Sequence, residues 1–171
     1  MAVREAVGNE TNLYWKARNI HDYIIEHIGY VLDGRWDHAP QVLQQGHGSC
    51  SEYSMLYAAM CRAAGIPARY EAGAYFGGTM PYIDQVYHRW NQIYLPPYGW
   101  IHVDVTWDDR DNLANQTRYF GATSMRVFPT LTSGGGSNII NWGYNSANGQ
   151  IGGIREQTNQ FIWSAYKASG W

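Results

Sequence analysis

The order of periodicities along the chain predicts an α+β fold. Two stretches with helical spacing, 11–30 and 50–64, precede three with strand character, 68–76, 86–95 and 100–106. Short segments join the strands, which suits antiparallel pairing. With 171 residues, 45% of them hydrophobic and 15% charged, the chain has enough apolar surface for one domain with a sizeable core.

The first helix is marked by Leu13, Ala17, Ile20, Ile24 and Ile28, which fall on one stripe. Thr11 or Asn12 can cap its start, and Gly29 is a natural stop. His21 and His27 flank the stripe and are expected to be partly exposed. Residues 31–46 read as irregular, with Asp33-Gly34 as a turn and Pro40 as a breaker. Trp36, Gln44 and Gln45 stand close enough to residue 50 to line a common cleft.

The second helix has strong signals at both ends. Ser49-Cys50-Ser51-Glu52 has the form of a capping box, with serine at the N-cap and glutamate three residues on. Tyr53, Leu56, Tyr57, Met60, Cys61 and Ala64 make most of its surface apolar, so it is expected to be the central buried helix. Gly65 fits the left-handed position that ends a helix, and Pro67 prevents continuation. Cys50 is then the first helical residue. Its sulfur lies near backbone N–H groups without intrahelical partners and near the positive end of the helix dipole. Both favour the thiolate, the nucleophilic form.

The other cysteine, Cys61, is about 16 Å further along the helix, too far to bridge to Cys50. It reads as core filler. Two cysteines at this spacing do not suggest a structural zinc site, and nothing in the chain calls for a metal or an organic cofactor. Twelve basic and 14 acidic residues give a formal net charge of -2, and no run of four basic residues occurs, which argues against nucleic acid as a partner. No apolar run approaches the ~18 residues of a membrane span. The 8 Trp and 14 Tyr suit core and sheet packing, with an aromatic-lined cleft as a secondary use.

The stretch 100–106 alternates, with Ile101, Val103 and Val105 on one face and Trp100, His102, Asp104 and Thr106 on the other. Pro96-Pro97-Tyr98-Gly99 turns the chain back onto 86–95. A hairpin centred near Pro96 sets His88 opposite Asp104, Trp90 opposite His102 and Gln92 opposite Trp100. Opposed residues have Cβ atoms about 5 Å apart. An imidazole beside a carboxylate is a base held by an orienting acid. With the start of the second helix packed on that face, the Cys50 thiol would meet the His88 imidazole. Singly, a strand histidine is usually a packing residue and an opposed His–Asp pair a cross-strand contact. Together the three residues point to a nucleophile, a base and an orienter.

Beyond Thr106 the signals weaken. Residues 107–111 read as a charged loop, and 118–130 have room for one or two short strands. Residues 133–137, with three glycines, read as a turn, 138–153 as a hairpin, and 156–167 as a terminal helix or strand. No internal repeat or second boundary appears. Residues 1–171 therefore read as one domain, with a motif core at 11–106 and an extension of sheet and substrate loops at 107–171.

On these motifs the chain resembles the transglutaminase-core superfamily, within the papain-like cysteine enzymes. Gly48-Ser49-Cys50-Ser51-Glu52-Tyr53 resembles its nucleophile motif, and Arg62-Ala63-Ala64-Gly65-Ile66-Pro67-Ala68-Arg69-Tyr70 the helix exit. His88-Arg89-Trp90-Asn91-Gln92-Ile93-Tyr94 resembles the histidine strand, and Gly99-Trp100-Ile101-His102-Val103-Asp104-Val105-Thr106 the aspartate strand. Arg89 stands where a small residue is common, and Val105 where proline is usual.

The resemblance implies a central helix carrying the cysteine, packed on an antiparallel sheet carrying the histidine and aspartate. It implies Cys50 as nucleophile, His88 as general base and acid, and Asp104 as orienter. The implied chemistry is acyl transfer on amide bonds through a thioester, foremost as hydrolysis of a peptide, protein or glycopeptide. Protein-glutamine cross-linking and a peptide N-glycanase-like amidase are the alternatives. A non-catalytic binding module of this fold usually lacks one of the three residues, and all three are present here. Gln44 and Trp36 are expected as the second oxyanion donor beside the Cys50 N–H, and Trp90 and Trp107 in the substrate cleft. Many bacterial relatives are exported, so a periplasmic or extracellular location is implied, although residues 1–10 lack the charged-then-apolar order of a signal peptide.

Overall fold

A computed structural model describes residues 1–75, 82–84, 88–110, 112–124, 126–133, 147–151, 154–158 and 161–163. Helix α1 (Ala2–Val7) opens the chain, an element the sequence reading does not anticipate. Helix α2 (Leu13–His27) starts at Asn12, whose Oδ1 accepts the N–H groups of Tyr14 and Trp15. Ala17, Ile20 and Ile24 are wholly buried along its stripe. The helix ends at His27, two residues before Gly29, because Ile28 is already extended. The chain then forms strand β1 (Gly29–Tyr30).

Helix α3 (Ala39–Gln45) occupies the segment read as irregular. Pro40 is inside its first turn, where a missing N–H costs nothing, so proline starts this helix and does not break it. Gly46 ends it in the left-handed conformation, at φ 74°. Strand β2 (His47–Gly48) follows and pairs in parallel with β1. This pairing fixes the backbone just ahead of the next helix.

Helix α4 (Cys50–Ala63) is the central element, with the capping box formed. Glu52 Oε2 accepts the Ser49 N–H at 2.8 Å and the Ser49 hydroxyl at 2.5 Å. A Cβ on Gly48 would collide with the Glu52 side chain, so glycine is required there. Tyr53, Leu56, Tyr57 and Cys61 are wholly buried. Burying a large apolar side chain contributes about 1.5–3 kcal/mol. Gly65, at φ 83°, ends the helix, and the Ile66 N–H returns to the Cys61 carbonyl at 2.9 Å.

The remaining strands are β3 (Ala68–Tyr75), β4 (Tyr82–Asp84), β5 (His88–Leu95) and β6 (Gly99–Val103), then β7 (Val127–Ser133), β8 (Ala147–Ile151), β9 (Ile154–Thr158) and β10 (Phe161–Trp163). An antiparallel sheet has the order β6-β5-β3-β7. β8 pairs with β9, and β10 with β4, both antiparallel. The hairpin read at 138–153 lies mostly outside the described residues, at 138–146 and 152–153; the described part, 147–151, pairs with 154–158. The turn read at 133–137 also lies outside the described residues except for Ser133, which ends β7, and the terminal helix or strand read at 156–167 is described only at 156–158 and 161–163, as strand.

Between β5 and β6 the register differs from the expectation. Asn91 pairs with Val103, Gln92 with His102 and Tyr94 with Trp100. The turn closes on Leu95 and Gly99 and is centred one residue later than expected, which moves each pairing by two. A slip of two preserves the faces; a slip of one would have inverted them. β6 also stops at Val103, before the alternation ends. Asp104 caps helix α5 (Val105–Asp108), which replaces the end of the strand and the start of the charged loop.

The face against α4 differs too. Asn91 Nδ2 donates to the Ser54 carbonyl of α4 at 3.0 Å, and Ile93 lies in the core with Leu56. The odd-numbered side of β5 therefore packs on α4. Trp90 points the other way, its Nε1 donating to Glu71 Oε2 on β3 at 2.5 Å. Thr132 on β7 donates to the other Glu71 oxygen at 3.1 Å. The sequence reading expects Trp90 in the substrate cleft; in the structure it is 1% exposed and packs within the sheet, its ring centroid 5.7 Å from that of His88.

Candidate active site

The capping box fixes Cys50 at the first position of α4, and β5 brings in His88 as its first residue. Standing at the end of its strand, His88 reaches the helix start even though the strand's even-numbered side faces away from the helix body. The Cys50 thiol and the His88 ring are hydrogen-bond partners. His88 Nε2 lies 2.5 Å from Asp104 Oδ2. With Nε2 committed to the carboxylate, Nδ1 is the nitrogen left to serve the sulfur. The pairing with Asp104 is not the direct cross-strand opposition expected. Asp104 reaches His88 from the first residue beyond β6, where the chain has left the ladder.

Asp104 is itself held. Its Oδ1 accepts the Trp107 N–H at 3.0 Å as the cap of α5, and its own N–H donates to the Tyr119 carbonyl at 3.2 Å. Trp107 lies flat on His88, ring centroids 4.5 Å apart and planes at 10°. Tyr75 and Tyr119 meet Trp107 edge-on at 5.0 and 5.1 Å. Asn91 and Ser54 complete the support, since the Ser54 hydroxyl donates to the Cys50 carbonyl at 2.7 Å.

Burial opposes ionisation of Cys50, but the hydrogen bond and charge of His88, with Arg89 adding to them and Asp104 opposing, hold the thiol below its ordinary value. Burial likewise opposes the charged form of His88. The charge and hydrogen bond of Asp104, followed by Cys50, outweigh it and push the imidazole up to about 10. The two shifts move a proton from sulfur to ring, so the arrangement can hold a thiolate beside an imidazolium. Cys61 behaves in the opposite way: burial, only partly offset by Tyr57 and Arg62, raises its thiol to about 12.

Of the residues named from sequence, Cys50, His88 and Asp104 come together, and Trp107 joins them through its stack on His88. Trp36 is half-buried beneath Arg89, whose guanidinium carbon lies 5.3 Å from the indole centroid. With Asp37, His38, Met55, Ala58, Arg62 and Tyr70, it lines a pocket of about 350 Å³. Gln44 is exposed on α3. Arg89 was missed as a site residue. It is buried at 3% exposure, shares the α4-facing side of β5 with Asn91 and Ile93, and adds positive charge near the sulfur. Its place next to His88, in step with the core residue Ile93, was the available signal.

His21 was also misread. It is wholly buried, not partly exposed, because its two nitrogens meet the carboxylates of Asp22 at 2.9 Å and Asp108 at 3.1 Å. Among the described residues, no group of three or more His, Cys, Asp and Glu side chains is arranged to hold a metal ion. Nor is any helix among them long and apolar enough to cross a membrane.

Comparison with known proteins matches residues 1–105 to the transglutaminase-like superfamily. An uncharacterised protein of Haemophilus influenzae is 29% identical over 121 residues, covering 57% of this chain and 33% of that protein. A crystal structure from Cytophaga hutchinsonii, of a protein called a candidate cysteine protease, superposes with a TM-score of 0.62 at 23% identity, over 99% of this chain and 50% of that one. A protein called a TGase gives a TM-score of 0.51 at 16% identity, over 65% of this chain and 31% of that one. The chain thus spans a third to a half of the length of these relatives. The two structural likenesses agree with this chain in fold. With the family match extending over more than half its residues, the chain belongs to the transglutaminase-like superfamily.

Proposed function

We propose that this protein is a cysteine peptidase or amidase that works by acyl transfer through a thioester on Cys50. The observation that carries the reading is the hydrogen-bonded series Cys50–His88–Asp104, with the thiol lowered and the imidazole raised.

In this reading the Cys50 thiolate attacks an amide carbonyl carbon. The carbonyl electrons move to oxygen, and the backbone N–H of Cys50 stabilises that charge. Trp36 is the proposed second donor, favoured over the exposed Gln44. The C–N bond breaks as the His88 imidazolium gives its proton to the leaving amine. Neutral His88 then takes a proton from water, whose oxygen attacks the thioester. The acid departs, and the proton on His88 again pairs with the thiolate. Asp104 keeps the ring oriented and favours its charged form throughout.

A peptide library, incubated with and without an added primary amine, tests the reaction. The expected result is hydrolysis that depends on Cys50 and exceeds amine incorporation. Incorporation exceeding hydrolysis would replace this reading with cross-linking, and turnover unchanged in Cys50→Ala would remove Cys50 from the chemistry.

A further inference from the structure

We propose that His21 is a positioning residue for the Asp104–His88 pair, acting through Asp108; this rests on the reading of Cys50, His88 and Asp104 as the reacting groups. Helix α5 is a single turn, too short to be stable alone. Yet it carries much of what orients His88. Asp104 caps it and holds Nε2, and Trp107 covers the ring face.

The far end of that turn is anchored by one buried group. Asp108 is wholly buried, and its Oδ2 lies 3.1 Å from His21 Nε2. The Tyr119 N–H donates to both Asp108 oxygens, at 2.9 and 3.1 Å, while the Tyr119 carbonyl accepts the Asp104 N–H. Asp108 is therefore linked to Asp104 both along α5 and through Tyr119.

His21 is a firm anchor point. It lies on α2 between the buried Ile20 and Ile24, wholly buried itself, so it touches no substrate. Its Nδ1 lies 2.9 Å from Asp22, which Arg18 holds at 2.8 Å, and Phe120 closes against the ring edge-on at 5.4 Å. Burying a ring whose two nitrogens both need partners is costly unless both are satisfied. Here each nitrogen lies within hydrogen-bond distance of a carboxylate, and the pair of contacts joins α2 to α5.

Two substitutions separate the arms of the histidine. His21→Asn keeps a polar group near Asp22 but falls short of Asp108. His21→Gln carries an amide nitrogen to about where Nε2 stands. The readout is the pH profile of Cys50 alkylation by iodoacetamide, measured below the melting temperature of each variant, together with the NMR signal of the His88 Nε2 proton. The expectation is that His21→Asn slows alkylation below pH 7 by about tenfold or more and shifts the His88 signal, while His21→Gln restores both. If His21→Asn does not fold, Asp108→Asn, which removes the buried charge at constant size, takes its place with the same expected loss.

Wild-type low-pH reactivity that survives in His21→Asn, or in Asp108→Asn where that variant serves instead, overturns this proposal and leaves the reading of the site intact. Equal impairment in the Gln and Asn variants overturns it as well. A wild-type Cys50 with an ordinary thiol profile overturns the site reading and this proposal with it.

Discussion

Trp107 lies parallel to His88, 4.5 Å from its ring centre, and its own backbone N–H is capped by the carboxylate that holds His88. An aromatic face at this distance favours the charged imidazole, typically by about 0.5–1 kcal/mol. Replacing Trp107 by Ala is expected to lower the His88 pKa by roughly half a unit. An NMR titration of the His88 ring checks this, and an unchanged titration would contradict it.

Asp104 divides its two oxygens between His88 and the cap of α5. Asparagine caps as well as aspartate does, but it lacks the charge. Asp104→Asn is therefore expected to keep α5 while lowering turnover by about 10²–10⁴-fold. Asp104→Ala is expected to lose similar turnover and about 1 kcal/mol more stability. Melting temperatures and peptide turnover, measured side by side, separate the two roles.

Gly48 leaves room for Glu52 to close the capping box. Gly48→Ala sets a Cβ 2.4 Å from the Glu52 Cβ, which cannot swing away, so the backbone at the start of α4 must shift and the capping box opens. The expected cost exceeds the roughly 1–2 kcal/mol of a lost cap. Denaturant unfolding measures it. Glu52→Ala, which removes the hydrogen bonds without that clash, should cost less than Gly48→Ala; an equal loss would contradict the steric requirement for glycine.

The sequence carried the helix that begins at Cys50 well because its signals are local. The capping box, the apolar helix surface and the Gly65 exit lie within seventeen residues of one another, and all appear in the structure. The His–Asp pairing was legible through strand parity, which survives a register slip of two. The slip itself depends on where the turn closes, and alternation does not determine that. Pro40 was misread because the same residue that breaks a helix interior is well placed in its first turn. The burial of His21 depends on Asp108, which is 87 residues away. No period or spacing around residue 21 contains that information.

Acid stability offers a further check. Burial pushes His102 from 6.5 down to about 4, only partly offset by Asp104, while His88 acts in the same direction as burial. The unfolded chain then binds a proton between these values that the folded chain does not. Stability is expected to fall on acidification from about 6.5 to about 4, by on the order of 3 kcal/mol. His102→Gln removes this contribution. Urea unfolding at several pH values should show a shallower acid limb in the variant, and an unaltered limb would assign the loss to other groups.

The most direct measurement is the rate of Cys50 alkylation by iodoacetamide across pH, in the native protein and in His88→Ala. A thiolate held by His88 predicts reactivity that persists well below the ordinary thiol range in the native protein and disappears from that range in the variant. An ordinary thiol profile in the native protein, or an identical profile in both, would contradict the assignment of Cys50 and His88 as a nucleophile and its base.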